Sequence, residues 1–157
     1  MPKRPILVIG VGNALRGDDG AGGEVVRRLR EDGVQTGIEV SEQLCEPADL
    51  LEAWQGRDAV VLVDTMRSGQ PAGTIRRFDV SRDPLPARPP GSTSTHAFDL
   101  HAAIELGRAL DRLPRRVIVY AVEGERFEAG AALSDQVEAA VGRLMAAVLG
   151  EVSRASG

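Results

Sequence analysis

The chain of 157 residues has little of several features that would each indicate a particular class of protein. A single cysteine excludes an intramolecular disulfide and a zinc site built from several thiolates. The net charge of -4 and the scattered arginines argue against a surface for nucleic acid. No apolar run approaches the roughly 18 residues of a membrane span, and the first residues lack the pattern of a signal peptide. We therefore expect a cytoplasmic protein that binds neither nucleic acid nor a membrane.

The size and composition of the chain fit one globular domain spanning residues 1–157. Hydrophobic residues make up 43% of the sequence and charged residues 27%, which is enough apolar material for a proper core. The lone cysteine, Cys45, is expected to be a small buried residue in a loop after a strand.

Apolar runs alternate along the chain with segments of helical periodicity. The predicted strands span residues 6–11, 36–42, 59–63, 74–79 and 117–122, of which 74–79 is an edge strand. The predicted helices span about 20–32, 48–55, 98–110 and 134–149, with Gly33 ending the first and Ser134 capping the last. The proline-rich residues 82–90 predict a loop. This alternation predicts an α/β sandwich around a mostly parallel sheet of about five strands, with helices on both faces.

Polar side chains stand at the ends of the predicted strands, where parallel α/β sheets bind their ligands. Asp18 and Asp19 follow the first strand, Asp64 ends the third, and His96 lies just before the third helix. Together, Asp19, Asp64 and His96 would form an open metal site that suits nickel, zinc, manganese or iron. Simpler interpretations stay open at this point. The aspartate pair could cap the following helix, Asp64 could cap a helix or lie in a surface turn, and His96 could be a solvated loop residue.

Glycines surround the aspartate pair. Gly20, Gly22 and Gly23 each cost a helix up to about 1 kcal/mol relative to alanine, so we expect a backbone or a ligand to approach closely there. A dinucleotide-binding loop is disfavoured because Leu15 stands where the third glycine of that motif belongs. The chain also lacks a phosphate-binding loop with its lysine, and a serine nucleophile elbow.

Two further titratable residues are candidates for supporting roles. His101 lies about 140° round the helix from His96, so the two would not share a metal, and we expect His101 on the surface or beside the site ligands. Glu123, at the end of the last strand, would either contact the site ligands or be a solvated loop carboxylate.

Four segments resemble the motifs of the hydrogenase maturation proteases in order and spacing: GVGNALRGDDGAG, VVLVDTM, STSTHAFDL and YAVEGERFEAGAALS. The resemblance runs from Ile6 to about Leu149 and implies a three-layer α/β/α sandwich. It also implies an endopeptidase that removes the C-terminal extension of a nickel-iron hydrogenase large-subunit precursor after nickel insertion.

By this resemblance, Asp19, Asp64 and His96 take the positions of the family's metal-contacting residues, although some members carry glutamate in the place of Asp19. The nickel would belong to the precursor, and the free protein would hold an ion weakly until the precursor's cysteines complete its coordination. Cleavage would proceed through a metal-polarised carbonyl or a metal-activated water, with Asp19 or Asp64 as the catalytic base. The expected partner is the precursor, and the expected oligomeric state is a monomer.

Two other functions share part of this pattern. A metal-sensing or chaperone module would bind the precursor through the same three residues without cutting it, so only an assay separates it from the protease. An aminoacyl-tRNA hydrolase also opens with a glycine-asparagine turn after its first strand. That enzyme would need a histidine close behind Asn13 and a basic face for RNA, and the sequence has neither.

Overall fold

The structure, a computed structural model, describes residues 5–33, 37–43, 46–83 and 95–156, with side chains described there except at 95–99 and 156. Strands and helices alternate along these residues. The strands are β1 (Ile6–Val11), β2 (Ile38–Gln43), β3 (Ala59–Met66), β4 (Ile75–Asp79) and β5 (Arg116–Glu123). The helices are α1 (Ala21–Glu31), α2 (Pro47–Trp54), α3 (Thr95–Ala109) and α4 (Asp135–Ser156), and a 3-10 turn (Gly17–Gly20) precedes α1.

The strands form one sheet in the order β2-β1-β3-β5-β4. All neighbouring pairs are parallel except β4, which runs antiparallel to β5 along one edge. The predicted mostly parallel sheet and the predicted edge strand are both confirmed. Because β1, β3 and β5 run in the same direction, their carboxyl ends lie along one edge of the sheet, which we call the carboxyl edge.

A hydrophobic core covers each face of the sheet. On one face, Val8, Val61 and Ile118 pack with side chains of α1 and α4. On the other, Ile9 and Leu62 pack with side chains of α2 and α3. Since successive side chains of a strand point to opposite faces, the continuous apolar runs of β1, β3 and β5 supply both cores. The three-layer α/β/α architecture is therefore confirmed.

Helix α1 begins in direct contact with the sheet because two glycines allow the backbones to meet. A Cβ atom on Gly22 would lie 2.4 Å from the carbonyl oxygen of Val63, and one on Gly10 would lie 2.3 Å from the carbonyl oxygen of Gly22. The sequence predicts that a backbone or a ligand approaches the glycines at the start of α1. At Gly22 this is the backbone of the neighbouring strands. Gly23 differs, since the nearest atom to its Cβ would be 3.8 Å away on the side chain of Glu42.

Several boundaries differ from those that the sequence predicts. Strand β3 continues past Asp64 to Met66, because it stays paired with β5 after its pairing with β1 has ended. Helix α4 continues to Ser156, where its last turns pack through Val152 against the core. Cys45 and most of the predicted loop 82–90 lie outside the described residues. Among those described, no helix is both long enough and apolar enough to cross a membrane.

Candidate active site at the carboxyl edge

Asp64 lies inside β3, where a carboxylate must be buried. Its exposed fraction is 3%, and its Oδ1 accepts a hydrogen bond of 2.7 Å from the backbone N–H of Thr65. The last pair between β1 and β3 is Gly10 with Val63, so Asp64 comes directly after β1 has stopped covering its strand. Side-chain alternation directs it to the same face as Leu62, towards α2 and α3. This burial excludes the surface-turn interpretation of Asp64.

Asp19 lies in the 3-10 turn that follows β1, and it is 5% exposed. Its Oδ2 accepts a hydrogen bond of 2.9 Å from the backbone N–H of Asn13. Gly12 has a φ of +134°, and a Cβ there would lie 2.1 Å from the carbonyl oxygen of Asp19. The loop after β1 therefore folds tightly around Asp19. The N-cap of α1 is Gly20, which has no side-chain cap, so the helix-cap interpretation of the aspartates is wrong.

A hydrogen bond joins the segments that carry the two carboxylates. The hydroxyl of Thr65 donates to the carbonyl oxygen of Asp18 over 2.7 Å. The residue after Asp64 is thus in contact with the residue before Asp19. The structure brings these two predicted site residues to adjoining segments of the carboxyl edge.

Asp18 has a different environment from its neighbour. It is completely buried, and its carboxylate accepts hydrogen bonds of 2.7–2.9 Å from the backbone N–H groups of Glu125, Arg126 and Ser134 and from the Ser134 hydroxyl. Burial alone would raise the pKa of Asp18, but these hydrogen bonds favour the ionised form and hold the pKa below its ordinary value. Asp18 is therefore the anchor of residues 124–134, a role that the sequence analysis did not identify.

Glu123 ends β5 at the same edge, and it is 2% exposed. Its carboxylate accepts hydrogen bonds from the backbone N–H groups of Ser68 and Gly69, at 2.7 and 2.9 Å, and from the Ser68 hydroxyl at 2.8 Å. The interpretation of Glu123 as a solvated loop carboxylate is therefore wrong. It holds the loop that follows β3.

The histidines lie on α3. His96 is the second residue of the helix, and its side chain lies outside the described part of the structure. His101 is half-buried on the same helix. Within the described side chains, no group of three or more His, Cys, Asp or Glu is placed to hold a metal ion. The side chain of His96 is not among the described ones, so the set of Asp19, Asp64 and His96 stays a prediction.

A second buried carboxylate cluster, also missed by the sequence analysis, lies away from this site. Glu151 of α4 is 1% exposed and accepts hydrogen bonds from Arg77, Arg116, Tyr120 and Arg154. Burial would raise its pKa, but these donors outweigh that effect and lower the pKa to about 2. Arg116 is the first residue of β5, so the cluster reaches the edge of the sheet opposite the carboxyl edge.

Comparison with known proteins identifies the family. The family model of hydrogenase maturation proteases matches residues 24–151 of the chain. The curated Methanocaldococcus jannaschii protein named "Putative hydrogenase maturation protease" is 31% identical over 162 residues, which cover 98% of this chain and 100% of that protein. The chain belongs to the hydrogenase maturation protease family, as its motifs predict, and this family places it among the endopeptidases.

Solved structures of the same family share the fold. The hydrogenase maturating endopeptidase HybD of Escherichia coli superposes with a TM-score of 0.83 at 26% identity, covering 98% of this chain and 94% of that one. The [NiFe] hydrogenase maturation protease HybD of Thermococcus kodakarensis gives a TM-score of 0.76 at 25% identity, covering 94% of this chain and 99% of that one.

Proposed function

We propose that this protein removes the C-terminal extension of a nickel-iron hydrogenase large-subunit precursor after nickel has been inserted. Family membership supports the class of substrate. The observation that carries the proposal is the pair of buried aspartates, Asp19 and Asp64, on segments joined through Thr65 and Asp18. Burying two carboxylates is costly unless hydrogen bonds or a cation compensate for the lost water. Each already accepts a backbone hydrogen bond, and carboxylate oxygens gathered at one edge of the sheet are ligands that a nickel ion accepts.

We assign the third ligand to His96. Position 96 precedes Leu100 by one helical turn, and Leu100 packs in the same core as Leu62. Residues four apart share one side of a helix, so the spacing assigns position 96 to the same side as Leu100. Asp64 faces that layer from β3. Two carboxylates and one imidazole suit nickel and leave coordination positions for the precursor's own ligands.

In this proposal the nickel arrives with the substrate. A site with three protein ligands and open positions holds a free divalent ion weakly, and it binds more tightly when the precursor's cysteines complete the coordination. Cleavage then depends on nickel loading because an empty precursor lacks the group that these side chains recognise. The free protein is expected to be metal-free or to hold another divalent ion in place of nickel.

Hydrolysis adds water across the peptide bond. The metal would supply Lewis-acid chemistry at the scissile carbonyl or at the attacking water. Asp19 or Asp64 would accept the proton that the water loses and return it to the leaving amine. Both carboxylates already accept a hydrogen bond from a backbone N–H group, which fixes their orientation before the substrate binds. We further propose that the protein acts as a cytoplasmic monomer.

The test is incubation with nickel-loaded and with nickel-free precursor, followed by mass measurement of the large subunit. We expect a shortened product from the loaded precursor only. Asp64→Asn and His96→Ala should abolish processing, because each removes a ligand while keeping the fold. Asp32→Asn, an exposed residue at the C-terminal end of α1, is the matched control and should process normally. Unaltered processing by Asp64→Asn would reject the assigned role. A precursor that is bound but never shortened would identify a non-cleaving module instead.

A further inference from the structure

The loop of residues 67–74 connects β3 to β4 and begins three residues after Asp64. Its first residues, 67–71, are exposed and belong to neither hydrophobic core. Apolar packing therefore cannot fix them, and hydrogen bonds must do so. The donors are the backbone N–H groups of Ser68 and Gly69 and the hydroxyl of Ser68, and all of them point to the carboxylate of Glu123.

The backbone around Glu123 holds the other parts of this loop. Its carbonyl oxygen accepts a hydrogen bond from Gly73, and its N–H donates to Thr74, both over 2.8 Å. The N–H of Gly124 donates to the carbonyl oxygen of Met66 over 3.0 Å. The start, middle and end of the loop are thus held by one short segment of β5. A carboxylate suits the central position because its two oxygens can accept several converging donors.

The loop is also joined to the segment that Asp18 anchors. The guanidinium of Arg67 lies 4.8 Å from the centroid of the Phe127 ring. A Cβ on Gly124 would lie 2.7 Å from the ring of Phe127 and 2.9 Å from the Cβ of Asp18. Residues 67–74 and 124–134 therefore form one continuous rim, which begins three residues after Asp64 in the chain.

We propose that Glu123 is a positioning residue of the peptidase: it holds residues 67–74 as the rim on which the scissile segment of the precursor lies beside Asp64. This inference rests on the proposed function. We assign Glu123 no role as a metal ligand, because its carboxylate accepts hydrogen bonds from the loop. Its removal should therefore weaken substrate binding and leave the affinity for the ion nearly unchanged.

The experiment compares Glu123→Ala with Glu123→Gln, and uses Glu151→Ala as the control for loss of a buried, hydrogen-bonded glutamate. Amide hydrogen exchange of Ser68 and Gly69 reports on the loop without requiring activity. In Glu123→Ala we expect these amides to exchange at least about tenfold faster. The KM for nickel-loaded precursor should also rise about tenfold. A change of this size corresponds to the loss of one or two hydrogen bonds. The amide oxygen of Glu123→Gln should restore part of both effects. Glu151→Ala should keep the wild-type KM and exchange at these two amides.

Direct titration with Ni²⁺ separates this role from a ligand role. We expect the affinity of Glu123→Ala for Ni²⁺ to stay within about twofold of wild type, whereas removing a ligand costs tenfold or more. A wild-type KM in Glu123→Ala, or a tenfold loss of Ni²⁺ affinity, would overturn the inference. If Glu123→Ala does not fold, Ser68→Ala is used instead, because it removes the hydroxyl donor alone. An unchanged KM together with unchanged exchange at Gly69 in Ser68→Ala would also overturn the inference. Failure of the wild-type protein to shorten the precursor would instead reject the proposed function, and this inference with it.

Discussion

The hydroxyl of Thr65 donates a 2.7 Å hydrogen bond to the carbonyl oxygen of Asp18, joining the strand that carries Asp64 to the turn that carries Asp19. Both groups are buried, so neither can exchange this bond for one to water. The relative position of the two carboxylates therefore depends on a contact made by their sequence neighbours. Variants of Thr65 can disturb the site without removing a site residue.

Thr65→Val keeps the shape of the side chain but removes the donor, leaving a buried carbonyl oxygen without this partner. We expect a loss of about 1–3 kcal/mol in the free energy of unfolding, measured by urea denaturation. Thr65→Ser keeps the hydroxyl and should lose less. Equal stability of Thr65→Val and wild type would show that the contact contributes nothing.

The neighbouring glycines of α1 should respond oppositely to alanine. In Gly22→Ala the new methyl group would lie 2.4 Å from a carbonyl oxygen of β3, so the helix must move and we expect a loss of about 1–3 kcal/mol. Gly23→Ala meets nothing closer than 3.8 Å and should gain up to about 1 kcal/mol through helix propensity. Thermal unfolding of both variants measures the difference. Destabilisation by Gly23→Ala would contradict this expectation, because no atom near Gly23 would clash with the added methyl group.

Asp18→Asn should destabilise the protein at neutral pH by about 2–3 kcal/mol. The wild-type carboxylate accepts hydrogen bonds on two charged oxygens, whereas the amide of asparagine has one neutral acceptor oxygen. Folding lowers the pKa of Asp18, so its ionised form contributes fully above the ordinary aspartate pKa. That contribution is lost as the pH falls through the lower pKa of the folded state. We would measure the free energy of unfolding by urea denaturation from pH 7 to pH 3. Below about pH 4 it should fall less steeply with decreasing pH in the variant than in the wild type. Parallel curves of unfolding free energy against pH for the two proteins would contradict a lowered pKa of Asp18.

Glu151→Gln tests the cluster away from the site. The pKa of Glu151 falls from 4.5 to about 2 on folding, so the wild type should lose this contribution to stability between those pH values. The variant should lack that part of the acid transition and be less stable at pH 7. Its processing of nickel-loaded precursor should be normal at a temperature where it is folded. Impaired processing there would mean that the cluster and the site are coupled.

Local patterns in the sequence predict most of the fold. The apolar runs that became β1, β3 and β5 needed no knowledge of distant residues, and the carboxyl-edge rule then directs attention to Asp19 and Asp64. The different environments of Asp18 and Asp19 could not be predicted, because two adjacent aspartates have the same local pattern. The partners of the Asp18 carboxylate lie in residues 125–134, more than a hundred positions away, whereas the Asp19 carboxylate accepts from Asn13 nearby.

Glu123 and Glu151 show the same limit. Glutamates are rarely buried without partners, and here the partners are Ser68 and Gly69 in one case and three arginines with a tyrosine in the other. Except for Arg154, which follows Glu151 on the same helix, those partners come from other strands and loops, so the burial depends on tertiary structure. For Glu123 the only sequence signal was its place at a strand end, and Glu151 lies two residues beyond the predicted end of the last helix.

Anomalous X-ray diffraction from crystals soaked in Ni²⁺ tests most directly whether Asp19, Asp64 and His96 hold a metal ion together. We expect one peak about 2 Å from a carboxylate oxygen of Asp19, a carboxylate oxygen of Asp64 and a ring nitrogen of His96, with no peak there in Asp64→Asn. A peak bound by other residues, or a His96 ring directed away from both aspartates, would contradict it.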